Sequence, residues 1–142
     1  MTPGRMTPLA PPGRIRLLTV VGALACLALG LGLQLLDRSS VSDLLGSVLY
    51  VMLIGLLVLL VRPSLPNLVI AAIALGIATV VELLQLTPVS SEVVGAFPPA
   101  RLVLGSSFDP LDLVAYLAGA LLLIPLLRVI ARTETVRTPW GS

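Results

Sequence analysis

The sequence contains no histidine, no lysine and a single cysteine, Cys26. Histidine-based catalytic triads, lysine Schiff bases and metal cages built from histidine or several cysteines are therefore excluded, and so is an intrachain disulfide. Charged residues make up only 11% of the 142 residues and aromatic residues 4%, and no basic block with interleaved aromatics indicates nucleic-acid binding. We expect no cofactor, no metal, no assigned catalytic residue and no nucleic-acid partner.

Hydrophobic residues, in contrast, make up 57% of the chain, and the mean hydropathy is +1.09. A soluble domain carries about 25% charged residues, so this chain has too few to cover its own surface. A membrane-spanning helix needs about 20 mostly apolar residues, and four segments meet or approach that length: residues 17–36, 44–61, 68–86 and 113–127. The sequence predicts an all-α integral membrane bundle of four transmembrane helices.

The remaining segments complete the predicted organisation. Residues 1–14, rich in proline and glycine, are predicted to be a disordered cytoplasmic tail, residues 15–131 the transmembrane domain, and residues 132–142 a second cytoplasmic tail. Between spans three and four, residues 93–104 are apolar but too short to cross a bilayer, and Pro98 and Pro99 break them. We expect a short interfacial or re-entrant segment there.

The arginines predict the orientation, because short cytoplasmic loops are enriched in positive charge. Four spans place both termini on one side of the membrane. Seven of the nine arginines fall on that side, and Arg38 and Arg101 fall on the other. The seven are Arg5, Arg14, Arg16, Arg62, Arg128, Arg132 and Arg137. We expect a multi-pass protein of the plasma membrane with both termini in the cytoplasm.

The first span has an alternative interpretation as a signal peptide, including lipoprotein processing at Cys26. The apolar core of a signal peptide is about 7 to 15 residues long and ends at a cleavage site. Here the apolar segment continues ten residues beyond Cys26 without a clear small-x-small site. A retained span is therefore favoured.

Small residues at helical spacing predict where the spans pack, because membrane helices associate by close backbone approach. Such residues recur in every span. They are Gly22, Cys26 and Gly30 in span one, Gly46, Ser47 and Gly55 in span two, Ala72 and Gly76 in span three, and Ala115 and Gly119 in span four.

Two groups of acidic residues require an explanation. Asp109, Pro110 and Asp112 are typical of a helix start, with an N-cap residue, a proline at the first position and an acid at the third. Glu82 lies near the C-terminal end of span three, where the helix dipole disfavours negative charge, so it needs a partner or a proton. Three interpretations are open: a Glu82–Arg101 ion pair that pins the loop, a ligand or catalytic site that contains Glu82, and a solvated Glu82 with no role.

Glu82 and Gln85, followed by the order G-[ST]-x-F-x-x-x-D-[LI]-x-A-Y-x-x-G entering span four, resemble a known family. It is a small bacterial four-span membrane family catalogued as domain of unknown function two-eight-zero-nine, akin to VanZ-like proteins. The resemblance is best over residues 46–123 and implies matching positions for Glu82, Gln85, Gly105, Asp112 and Tyr116. It implies no established activity, although VanZ-like proteins are associated with glycopeptide resistance and cell-envelope phenotypes.

One position departs from that family, which typically has Gly-Asp at the opening of span two. Here Ser47 follows Gly46, and Asp43 lies one turn earlier. If the acid belongs to a site, either Asp43 substitutes for it or the site of this protein is altered.

These residues together predict a polar cluster at the outer leaflet. Its members are Glu82, Gln85, Arg101, Gly105, Asp112 and Tyr116. Our leading hypothesis is that the cluster binds an envelope lipid or a membrane protein partner, including a second copy of the chain. One alternative is an enzyme acting on a lipid-linked envelope substrate, with Glu82 and Asp112 as acid and base. Another is a subunit of a proton-coupled transporter.

Overall fold

The computed structural model describes residues 13–35, 39–105 and 107–133, which are mostly helical. Six α-helices follow one another along the chain, and a 3-10 turn at Pro98–Ala100 joins the fourth to the fifth. They are α1 (Gly13–Leu35), α2 (Ser40–Val61), α3 (Asn67–Leu84), α4 (Pro88–Ala96), α5 (Arg101–Leu104) and α6 (Pro110–Arg132). Helix α1 begins at the end of the first predicted tail, and most of both predicted tails lies outside the described residues.

Four of these helices, α1, α2, α3 and α6, are long and apolar enough to cross a membrane. The prediction of an all-α protein with four spans is therefore confirmed. The largest difference in bounds concerns the last span, where the uncharged segment covers 15 residues and α6 covers 23. The helix is longer because Asp112 lies in its first turn, and Arg128 and Arg132 lie exposed near its other end.

Helix α2 lies at the centre of the bundle and packs against α1, α3 and α6. Helix α6 also packs against α3, whereas α1 contacts mainly α2 and so lies at the periphery. The core is formed by large apolar side chains that are almost fully buried. They are Val51, Leu56, Ile70, Leu123 and Leu127. The opposite helix faces expose leucine, valine and isoleucine, as expected for surfaces in contact with lipid.

Several of the predicted packing positions are close contacts. A Cβ atom at Gly55 would overlap the side chain of Leu123, and one at Gly119 would lie 2.8 Å from the carbonyl oxygen of Val48. Ala115 and Cys26 are buried as well. These residues allow α2 to approach α1 and α6 closely.

The prediction was wrong for span three and for two further glycines. Ala72 and Gly76 are exposed, and Cβ atoms built at Gly30, Gly46 or Gly76 would contact nothing within 4 Å. The buried face of α3 instead consists of Ile70, Ala71, Ala74, Ala78 and Glu82. Both sets of small residues have helical spacing, and the helix is rotated so that Ala74 and Ala78, each two residues from Gly76, are buried instead.

The segment between α3 and α6 is helical but contributes nothing to the core. Helices α4 and α5 and the 3-10 turn contain no buried residue and pack mainly on one another. Val93, Phe97, Leu102 and Val103 expose large apolar side chains there. The segment is therefore an apolar surface element attached to one end of the bundle.

Candidate functional site

The site lies at the end of the bundle where α1 and α3 finish and where α2 and α6 begin. We call this end the Glu82 end. Glu82 has no exposed surface, although an ionised carboxylate is costly to bury unless it is hydrogen-bonded. Its Oε1 accepts the backbone N–H of Asp109 at 2.8 Å, and its Oε2 accepts the hydroxyl of Tyr116 at 2.9 Å and the amide Nε2 of Gln85 at 3.3 Å. Three donors, two from α6 and its N-cap and one from the C-cap of α3, therefore converge on one carboxylate.

The start of α6 explains why a backbone donor is free to reach Glu82. As predicted, Asp109 is the N-cap residue and accepts the N–H of Leu111 at 2.9 Å, and Pro110 occupies the first turn. In a capping box, a side chain at the third helical position accepts the N–H of the N-cap residue. Here that N–H goes to Glu82 instead, and the positive end of the α6 dipole stabilises the carboxylate.

The predicted ion pair between Glu82 and Arg101 is wrong. Within the described residues no salt bridge joins them, and Arg101 is exposed in α5 while Glu82 is fully buried. Neutral donors already satisfy the carboxylate, and burying the guanidinium beside it would require both ions to lose their hydration. Arg101 instead lies at the rim of the site.

Asp112, the acid at the third position of α6, bonds to α2 rather than to its own helix end. The Ser47 hydroxyl donates to Asp112 Oδ1 at 2.7 Å and lies 3.1 Å from the carbonyl oxygen of Asp43. Ser47 is thus a hydrogen-bond donor to Asp112. Asp43 and Asp109 are close enough to Asp112 to interact with its charge.

Two residues on α2 that contact the predicted cluster were missed as members of it, namely Ser47 and Tyr50. The rings of Tyr50 and Tyr116 have centroids 6.1 Å apart and planes inclined at 49°. The sequence offered one signal for Tyr50. Aromatic residues are scarce, and Tyr50 and Tyr116 are the two tyrosines of the chain.

Gly105 lets the segment after α5 pass directly over Gln85. It has a φ of +69°, and a Cβ built on it would lie 2.8 Å from the Gln85 Nε2. Glycine is the residue that adopts such a conformation without strain. The Gln85 Oε1 is buried and has no hydrogen-bond partner within the described part of the chain.

A cleft of about 810 Å³ opens at the Glu82 end. All six residues of the predicted cluster line it, together with Asp43, Ser47, Tyr50 and Asp109. Leucines from α1 and α2, including Leu27, Leu31 and Leu53, form an apolar wall, and Leu102 and Val103 of α5 line it from the surface segment. The cleft is therefore lined by both polar and apolar side chains. Among the described residues, no three or more His, Cys, Asp or Glu side chains are grouped so that they could hold a metal ion.

One family model matches the chain over residues 36–120, and its description is "Protein of unknown function (DUF2809)". The match covers more than half of the sequence. The chain belongs to the DUF2809 family. The matched region of this DUF2809 protein includes α2 to α5, the first half of α6 and all six residues of the predicted cluster. No curated protein and no solved structure matches the chain. The likeness to VanZ-like proteins stays a prediction.

Proposed function

We propose that this DUF2809 protein is a lipid-binding protein of the plasma membrane and that the cleft at the Glu82 end holds the lipid. The observation that supports this most is the division of the cleft lining between polar side chains and the leucines of α1 and α2. That division matches an amphiphile, and the volume of about 810 Å³ falls within the range of ligand pockets.

The proposal includes an orientation, with both termini in the cytoplasm and the cleft in the outer leaflet. The described arginines support it by their distribution, since Arg101 alone among them lies at the Glu82 end. Five lie near the opposite end, namely Arg14, Arg16, Arg62, Arg128 and Arg132. Short cytoplasmic loops are the ones enriched in positive charge.

Binding fits the geometry better than acid and base chemistry by Glu82 and Asp112. A general acid or base must come within hydrogen-bond reach of the substrate. Glu82 has no exposed surface, and both of its oxygens already accept hydrogen bonds. Proton-coupled transport also fits less well, because no charged side chain lies in the central turns of the described spans. Each charged residue of these spans lies within about two turns of a helix end.

The test is native mass spectrometry of the protein released from mild detergent, comparing the wild type with Asp112→Asn. Asparagine keeps an oxygen that accepts from Ser47 but removes the charge from the cleft. The matched control is Glu92→Gln, which removes an exposed acid of α4 that does not line the cleft. We expect wild type and control to retain lipid and Asp112→Asn to retain less. Equal retention by all three proteins, or retention by none, would contradict the proposal.

A further inference from the structure

The charged and polar groups of the cleft identify a lipid headgroup. Building on the proposed function, we infer that the cleft selects a zwitterionic lipid with a primary ammonium group, of the phosphoethanolamine type. It discriminates against anionic lipids and against lipids whose amine is fully methylated.

The first argument is the charge of the residues that line the cleft. In the part of the chain that the structure describes, four acids line it and one base, Arg101, does. The acids are Asp43, Glu82, Asp109 and Asp112. A concave site lined by one sign of charge attracts the opposite sign and repels its own. An ammonium group is therefore favoured there, and a headgroup with only negative charge is not.

Hydrogen-bonding capacity is the second argument, because three donors beside Glu82 and Asp112 are already engaged. The Tyr116 hydroxyl and the Gln85 Nε2 both donate to Glu82, and the Ser47 hydroxyl donates to Asp112. Acceptors remain instead. The Ser47 contact occupies only one oxygen of Asp112, and Asp43 adds an exposed carboxylate to the lining.

A primary ammonium supplies what those acceptors need. It carries three N–H donors, as the lysine side chain does, whereas a trimethylated amine carries none. Hydrogen bonds to a charged group are stronger than neutral ones. The number of N–H donors on the headgroup nitrogen therefore becomes the property that the cleft distinguishes.

The rest of such a lipid fits the remaining surfaces. Arg101 is exposed at the rim, and a guanidinium binds phosphate oxygens in a bidentate geometry. Leu27 and Leu31 of α1 and Leu53 of α2 offer a wall for an acyl chain. The apolar wall points to a lipid rather than to a soluble amine as the source of the ammonium.

The test measures binding of three lipids with identical dioleoyl chains: phosphatidylethanolamine, phosphatidylcholine and phosphatidylglycerol. Each is titrated into delipidated protein and followed by native mass spectrometry. We expect the ethanolamine lipid to bind about tenfold more tightly than the other two, the effect of losing one hydrogen bond to a charged group. Asp112→Asn should abolish the preference for ethanolamine over choline, and Glu92→Gln should retain it.

Arg101→Gln separates the phosphate contact from the ammonium contact. It should weaken the binding of the ethanolamine lipid and of the choline lipid by the same factor, because both lipids carry the phosphate. Arg62→Gln, at the C-cap of α2 and the other end of the bundle, is its matched control and should change neither. Unequal weakening by Arg101→Gln would overturn the assignment of Arg101.

The outcomes distinguish this inference from the proposed function. Equal affinity for ethanolamine and choline lipids, or a preference for phosphatidylglycerol, would overturn the headgroup inference while lipid binding stood. Retention of no lipid would overturn both. Glycerophosphoethanolamine, which lacks acyl chains, serves as a competitor. Competition at concentrations equal to those of the lipid would overturn the role of the apolar wall.

Discussion

The Glu82 carboxylate accepts the backbone N–H of Asp109 at 2.8 Å and thereby joins the last turn of α3 to the first turn of α6. The same carboxylate accepts the hydroxyl of Tyr116, two turns further along α6. Two contacts on one helix fix its position along α3 as well as its rotation. A buried carboxylate held by neutral donors is costly when one of them is lost, because each unpaired group keeps its desolvation penalty.

Replacement of Glu82 by Gln should therefore destabilise the protein. A glutamine side chain has one acceptor oxygen, and its NH₂ group would face a donor that Glu82 now satisfies. We expect a loss of about 1–3 kcal/mol, observed as a lower thermal midpoint in detergent. Glu92→Gln, a matched change at an exposed acid, should leave the midpoint unchanged. If the thermal midpoint of Glu82→Gln equals that of the wild type, the carboxylate does not join the two helices.

Tyr116→Phe tests whether the hydroxyl acts through Glu82. Alone it removes one donor to a charged group and should cost about 1.5–3 kcal/mol. In the Glu82→Gln background the same change should lower the stability by less, because the carboxylate that accepts the hydroxyl is then absent. Urea unfolding of the two single variants and the double variant gives the coupling energy, expected at about 0.5–3 kcal/mol. Additive effects would show that the Tyr116 hydroxyl stabilises the fold independently of Glu82.

Gly105→Ala should disturb Gln85 and, through it, the cleft. The alanine would have to keep a φ of +69° with a ψ of −168°, at a cost of about 1–3 kcal/mol, and its Cβ would lie 2.8 Å from the Gln85 Nε2. We expect a lower thermal midpoint and weaker lipid retention. The control is Gly95→Ala in α4, where a Cβ contacts nothing within 4 Å. That variant should match or exceed the wild type, and equal behaviour of both variants would contradict this role of Gly105.

The sequence was sufficient for the spans and for the start of α6, because both depend on local signals. Apolar length identifies a span, and Asp109, Pro110 and Asp112 in that order identify a helix N-terminus. The partner of Glu82 was beyond such reasoning. The helix dipole showed that a partner was needed, but the donor is a backbone N–H 27 residues away, and every residue except proline carries one.

The rotation of α3 could not be predicted either. In a soluble helix the buried face is the apolar one, but lipid is as apolar as a protein core, so hydropathy does not distinguish the two faces. Two stripes of small residues were available, one with Ala72 and Gly76 and the other with Ala74 and Ala78. The contacts of Glu82 with α6 agree with the second stripe.

Gly119→Ala should weaken the contact between α2 and α6. Its Cβ would lie 2.8 Å from the Val48 carbonyl oxygen and 3.2 Å from the Val48 Cα, and this backbone cannot move without shifting the helix. We expect a loss of about 1–3 kcal/mol, measured by unfolding in detergent. Gly76→Ala in α3 is the control, because its Cβ contacts nothing within 4 Å and alanine favours a helix. A Gly119→Ala variant as stable as Gly76→Ala would contradict the close approach.

The orientation can be tested with single cysteines, because Cys26 is buried and is the only cysteine of the chain. In a Cys26→Ala background, Ser91→Cys places a thiol on α4 at the Glu82 end, and Ser64→Cys places one in the turn between α2 and α3. Both serines are exposed. An impermeant maleimide added to intact cells should label Ser91→Cys directly and Ser64→Cys only after permeabilisation. The reverse pattern would place the cleft on the cytoplasmic side, and labelling of both from outside would contradict the crossing of α3.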